Sequence, residues 1–254
     1  ILFVDGDNDT YPLWYCQNVE KIRQDVRVIN RELLNNSYSI NLLKKDLPNN
    51  KGLKLSLKED QYKEGTMEIV QMIPNFDTVE IKSALKDLYE DKGNDDKIKD
   101  CIKSCHNNKF FLVNNNDTIS WNIDDGELTK SDIVMLDIIA NNISSRPIYF
   151  SSYSNDNFLG LDDYLSLEGF AYRINDKKSS SIEEIIAQKA GEINADKMYE
   201  NILHGFALDN FNKKIYINEI ERNIIKEYVE AISALSYKLY QQGDNDKALA
   251  VMNQ

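Results

Sequence analysis

The acidic stretch Asp5-Gly6-Asp7-Asn8-Asp9-Thr10 gathers more potential chemistry than any other short segment of the chain. It follows Ile1-Leu2-Phe3-Val4, a continuous apolar run of the kind that fills a strand covered on both faces. It precedes Tyr11-Pro12-Leu13-Trp14-Tyr15, where Pro12 suits the first turn of a helix running to Arg23. In open α/β sheets, ligands sit at such strand-to-helix turns. Three readings compete. A calcium loop would need Gly at Thr10 and an acid at Cys16, and has neither. A pair of carboxylates, Asp5 and Asp7, can bridge a divalent metal to a diphosphate that the protein would otherwise repel. The third reading is structural: Asp9 or Thr10 caps the helix, Asp7 or Asn8 makes an Asx-turn, and the helix dipole favours the charges. Acids at a helix start need no ligand to explain them, so the structural reading leads.

If the first strand runs parallel to the strand at Arg146-Pro147-Ile148-Tyr149-Phe150, their C-terminal ends share an edge. That would bring Ser151, Ser152, Tyr153 and Asn155 towards the acidic turn and leave Arg146 at the opposite edge. The candidate ligand-binding set is therefore Asp5, Asp7, Asn8, Asp9, Thr10, Trp14, Ser151, Ser152 and Asn155. Trp14 offers a face on which a sugar can stack, although such residues pack mostly into cores. Cys101, Cys105 and His106 suggest zinc but lack the usual fourth ligand. His204 sits beside Leu203 and Phe206, as a packed histidine would. No nucleophile elbow, phosphate loop or zinc-peptidase motif occurs. A catalytic residue is not assigned.

The elements that would position these residues are those of an α/β chain. Val26-Arg27-Val28-Ile29 reads as a second strand, completing a βαβ unit. Ser37 to Lys45 is helical and ends before the loop signal Pro48-Asn49-Asn50-Lys51-Gly52. Between about 53 and 109 the pattern is broken, with a helix from Val79 to Tyr89 and the turn Asp91 to Asp96, which predicts an irregular insertion. Phe110 to Val113 and Thr118 to Ile123 form a hairpin, and Ile133, Leu136, Ile139 and Ala140 mark a helix over Lys130 to Asn142. Leu167 to Ile174 adds another strand. The polar stretch Asn175 to Ser181 reads as a linker. Beyond it, Ile224, Tyr228, Ile232, Leu235 and Leu239 form an apolar helical stripe, and Gly243 and Ala248 are spaced as in a tetratricopeptide-like hairpin.

The composition of the 254 residues, 42% hydrophobic and 10% aromatic, fits a globular protein with a substantial core. A net charge of -12 argues against nucleic-acid partners, which need Lys and Arg to displace counterions. No run approaches the roughly 18 apolar residues of a membrane span. The first residue lies inside an apolar run without an initiator Met, so the chain is expected to be a segment of a larger protein.

Gly6 to Tyr15, Asp25 to Asn30, Leu136 to Asn142, Arg146 to Phe150 and Leu161 to Arg173 together resemble the soluble C-terminal region of a bacterial polytopic membrane family, domain of unknown function 2723. The membrane part of that family resembles protein O-mannosyltransferases. The resemblance covers most of the chain, including the closing hairpin. It implies an extracytoplasmic, periplasmic domain attached to a membrane-embedded, glycosyltransferase-like module that uses a lipid-linked sugar, with the catalytic acid on the membrane part. Its partners would be that membrane-embedded part and a glycan or protein acceptor.

The expected architecture is a Rossmann-like α/β domain with a mainly parallel sheet over 1–175, followed by a small helical domain over 176–254. The leading expectation for function is a non-catalytic accessory domain that positions an acceptor or stabilises the enzyme. A metal-dependent sugar-transfer or sugar-processing domain, with Asp5 and Asp7 as metal ligands, and a protein-interaction module built on the C-terminal helices are the alternatives. No cofactor is expected in this segment beyond a divalent metal under the first alternative.

Overall fold

The protein is described here by a computed structural model covering residues 1–90, 101–153, 157–179, 191–205 and 217–253. It is an α/β protein, and it divides into two compact units: Ile1–Ile148 with Asn157–Leu161, and Tyr149–Asp156 with Asp162–Gln254. The polar stretch after 175 does not fall at this division. Its beginning is tied to the strand region before it, because Asn175 N–H donates to the Tyr164 carbonyl and Ser179 N–H to that of Asp163.

In the first unit, β1 (Leu2–Val4) leads through α1 (Gly6–Asn18) to β2 (Val28–Asn30), and the strands pair in parallel with Val4 opposite Asn30. Phe3 and Val4 are fully buried, as the apolar run requires. The helix starts five residues earlier than the position of Pro12 suggests, so Pro12 lies inside α1. Proline removes one helical donor, a cost that falls on the exposed side of the helix, where water can satisfy the freed carbonyl. α2 (Ser37–Leu43) is capped by Asn36, whose side chain accepts from the N–H groups of Tyr38 and Ser39.

The core of this unit is α5 (Lys130–Asn142), where the apolar side chains are buried all round the helix rather than along one stripe. The region expected to be irregular wraps it. After the short α3 (Glu59–Tyr62), β3 (Ile69–Met72) pairs in parallel with β5 (Ile102–Cys105) and antiparallel with β8 (Glu127–Thr129). A second small sheet joins β4 (Val79–Glu80) to the hairpin of β6 (Lys109–Asn114) and β7 (Asp117–Asn122), and α4 (Ile81–Glu90) follows β4 directly. The expected turn at Asp91 to Asp96 lies outside the described residues.

Polar side chains fasten this wrap to α5. Asn142 exchanges hydrogen bonds with the backbone of Lys54 at 3.0 and 2.8 Å. Asp137 accepts from the backbone N–H and the hydroxyl of Ser56. Burial pushes the Asp137 carboxyl above its ordinary range, and the Ser56 hydrogen bonds oppose that shift. Lys130, fully buried, is matched by Glu68 at 2.6 Å and the Lys63 carbonyl at 3.1 Å.

In the second unit, β9 (Tyr149–Ser151), β10 (Leu165–Leu167), β11 (Ala171–Ile174) and β12 (Glu192–Ile193) lie in the order β12-β10-β11-β9. The β9–β11 and β10–β11 pairs are antiparallel and β10–β12 is parallel. Glu168 accepts from Tyr149 Oη at 3.0 Å and Asn194 Nδ2 at 3.1 Å, joining β9 to the cap of α6 (Ala195–Glu200). A π-helical turn over Asn201–Gly205 exposes His204, which is thus not a packed histidine. The C-terminal hairpin is α7 (Glu219–Gln241) and α8 (Asn245–Met252), turning at Gly243 with φ +83°. Ala234, Leu235, Leu239, Ala248 and Val251 are buried, whereas Leu249 and Met252 are 63% and 60% exposed. Of the expected stripe, Leu235 and Leu239 are covered, Tyr228 and Ile232 are half-buried and Ile224 is exposed, and the outer part of α8 is not covered either.

Gly160 shows where the backbone tolerates no side chain: at φ +77° a Cβ would overlap the Asn122 carbonyl oxygen. Gly160→Ala is expected to lower stability by roughly 2 kcal/mol or more. At exposed Gly126, where a Cβ meets nothing, Ala should change stability by less than about 0.5 kcal/mol. Urea denaturation of the two variants checks both.

Candidate functional site

The residues after β1 and β2 lie side by side because the strands are parallel and in register to their ends. Asp5 is the N-cap position of α1, with extended backbone, but its side chain makes no cap. Its Oδ2 instead accepts from Arg31 Nη1 at 3.1 Å. The Arg31 guanidinium also lies 3.8 Å from Asp132 Oδ1, and Arg31 is 93% removed from solvent, with 7% exposure. Asp132 is itself fixed by the capping box of α5, where Thr129 N–H and Oγ1 both donate to its carboxylate. The Arg31 carbonyl accepts from Ser131 Oγ at 2.6 Å. One buried cation thus neutralises the acid at the start of α1 and an acid at the start of α5.

Thr10 completes the junction. It is fully buried, donates to the Gly6 carbonyl at 2.6 Å and accepts from Asn30 Nδ2 at 2.9 Å. The six-residue stretch is therefore not one exposed turn. Gly6 to Thr10 already belong to the helix, Asp7 and Asn8 face solvent, and Asp9 is half-buried. The cap expected at Asp9 or Thr10 is moved back to Asp5, because Gly6, at φ +66°, lets the chain enter the helix directly from the strand.

The structure does not gather Asp5, Asp7 and Asp9 into a metal cage, and no cluster of three or more His, Cys, Asp or Glu is placed to hold a metal among the described residues. The same holds for Cys101, Cys105 and His106. Cys101 donates to the Gly65 carbonyl, and burial pushes the Cys105 thiol up. Ser151 and Ser152 belong to the second unit, where Ser151 is buried and Ser152 N–H bonds the Phe170 carbonyl. Asn155 lies outside the described residues.

Trp14 is half-buried and marks the one feature that sequence reasoning only touched. It lines a cleft of about 400 Å³ between the second half of α1, β2 and the loop after α2. Its lining includes Gln17, Gln24 and Arg27 from α1 and the segment leading into β2, and Leu42, Leu47 and Pro48 from α2 and the loop that follows it. Within this lining, Gln17 Nε2 braces the α1–β2 loop by donating to the carbonyls of Arg23 and Val26. Arg27 is buried and reaches across to carbonyls of the facing loop. Burial and the neighbouring Arg146 guanidinium both push the Arg27 pKa below its usual value.

Thr10→Val should lower stability by about 1–3 kcal/mol, because it strands the Asn30 amide in a buried site. Thr10→Ser, which keeps the oxygen, should cost less than Val. Chemical denaturation of the pair distinguishes loss of the hydroxyl from loss of packing.

The amino-acid sequence matches the family model described as TMEM260-associated domain 2, over residues 1–115 and 104–197. No curated protein and no solved structure matches it.

Proposed function

The chain belongs to the TMEM260-associated domain 2 family, and from that premise we propose that it is a non-catalytic accessory domain of a membrane glycosyltransferase-like protein. In this reading it corresponds to the soluble C-terminal region of domain of unknown function 2723 and lies on the extracytoplasmic, periplasmic face of a bacterial inner membrane. It there positions a glycan or protein acceptor for the membrane-embedded part of the same protein, or stabilises that part. Among the described residues, no helix is long and apolar enough to cross a membrane, so the membrane contact in this proposal is made by other parts of the parent.

The observation that carries the non-catalytic part is the ion pair of Asp5 with Arg31. A carboxylate that bridges a metal to a diphosphate must face the ligand, and Asp5 is spent on holding the end of β2 and, through Arg31, the start of α5. Asp7 is a solvated acid in the first turn of a helix, where the dipole favours it without a ligand. A second reading, a protein-interaction module, draws on Leu249 and Met252, whose exposure leaves an apolar strip along α8.

Titration of manganese, magnesium or calcium into the purified chain should release no saturable heat and leave the melting temperature unchanged. A ligand that binds the folded state raises the melting point by linkage. With a nucleotide sugar and manganese, the chain should transfer or hydrolyse none of it. Metal stabilisation or sugar-nucleotide turnover that disappears in Asp7→Asn would replace this proposal with the metal-dependent enzyme.

A further inference from the structure

We propose that the cleft beside Trp14 is a binding site for a sugar that carries one anionic group, a carboxylate or a phosphate, with Arg27 reading the charge and Trp14 stacking on the ring. The inference does not depend on the accessory role, since the cleft lies at the opposite half of α1 from the acidic stretch.

The argument starts from what Arg27 lacks. Its Nη2 donates to the carbonyls of Lys45 at 2.8 Å, Lys51 at 3.2 Å and Asn50 at 3.4 Å. Its other N–H groups have no partner among the described residues, and Nε is both buried and unbonded. Carbonyl dipoles satisfy donors but do not cancel a charge. Among the described residues, Arg27 forms no ion pair, although most of its surface is removed from water. Asp46 acts on it through space only, its carboxylate being held by Gly52 N–H at 2.8 Å and Lys51 at 3.4 Å. A guanidinium left desolvated and unneutralised in a cleft wall is the group to which a carboxylate or phosphate adds most, by charge-assisted hydrogen bonding.

The rest of the cleft specifies the body of the ligand. Side-chain amides at Gln17, Asn18 and Gln24 all spend their NH2 groups on main-chain carbonyls, those of Arg23 and Val26, Trp14, and Gln17 respectively. Their oxygens remain as acceptors with no bond among the described residues. Acceptors call for donors, and hydroxyl groups supply them. The half-buried indole of Trp14, with Leu42, Leu47 and Pro48 facing the same space, suits the C–H face of a pyranose ring. Donor, acceptor and apolar surface thus converge on a polyhydroxylated ring bearing a negative charge, in a volume of about 400 Å³.

The test is calorimetric titration of the whole chain with glucose 6-phosphate, glucuronate, glucose and inorganic phosphate, with Trp fluorescence as a second readout. Saturable binding of glucose 6-phosphate or glucuronate, at least tenfold tighter than glucose and inorganic phosphate, is the expected result, and the preferred one of the two identifies the anion. Trp14→Ala should weaken that binding at least tenfold, and Arg27→Gln should bring the anionic sugar down to the affinity of glucose. If Arg27→Gln does not fold, Arg27→Lys and the salt dependence replace it: the anionic preference should shrink as ionic strength rises. The proposal is overturned if neither anionic sugar saturates, if glucose or phosphate alone binds as tightly, or if Trp14→Ala binds like the parent chain.

Discussion

The arrangement of the first unit depends on a single buried cation, Arg31. It sits immediately beyond β2, and the parallel register sets it opposite Asp5, the residue immediately beyond β1. Its second partner, Asp132, belongs to the capping box of α5, the helix on which the rest of the unit packs. Removing the cation would leave two partly buried carboxylates uncompensated, which costs more than the intact network contributes. Replacing the whole network by apolar groups need not be costly, so its value lies in fixing where the start of α1 and the start of α5 stand relative to the strand ends.

That constraint explains why the acidic stretch is easy to misread. Three Asp residues after a strand look like a ligand site when the counter-charge is out of view. Arg146, expected at the opposite edge from the acidic stretch, bonds Asn50 Oδ1 and the Lys51 carbonyl. The partner was only partly legible: where the two strands of a parallel βαβ unit are adjacent, the residues following them are neighbours, but the apolar run ends at Ile29 and β2 extends one residue further, to Asn30, before Arg31. Pro12 hid the start of α1, since proline usually opens a helix and here stands inside one.

Elsewhere, legibility followed the range of the interactions. The helix Lys130–Asn142 and the β6–β7 hairpin came out of local periodicity and a short turn, with Asn115 adopting φ +53° at that turn. In the stretch from 53 to 109 the helix expected over Val79 to Tyr89 is present as α4, but the sheet was not legible, because β3 finds its partners in β5 and β8, far along the chain, and its alternation spans only a few residues. Loop residues 53–57 hold their place through Asp137 and Asn142, contacts that no local pattern encodes. The cleft was visible only as Trp14. Its other wall, from Leu42 to Asn49, is brought in by the fold and not by spacing.

A structural acidic edge and the cleft beside Trp14 lie on opposite halves of α1, the first half holding the unit together and the second half lining the proposed sugar site. The claim that the first half is structural is tested most directly by a double-mutant cycle of Asp5→Ala and Arg31→Met, followed by urea denaturation. The account predicts a coupling energy of about 1–3 kcal/mol between the two positions. A coupling within about 0.3 kcal/mol of zero would contradict it, and would return Asp5 to the set of carboxylates available for a ligand.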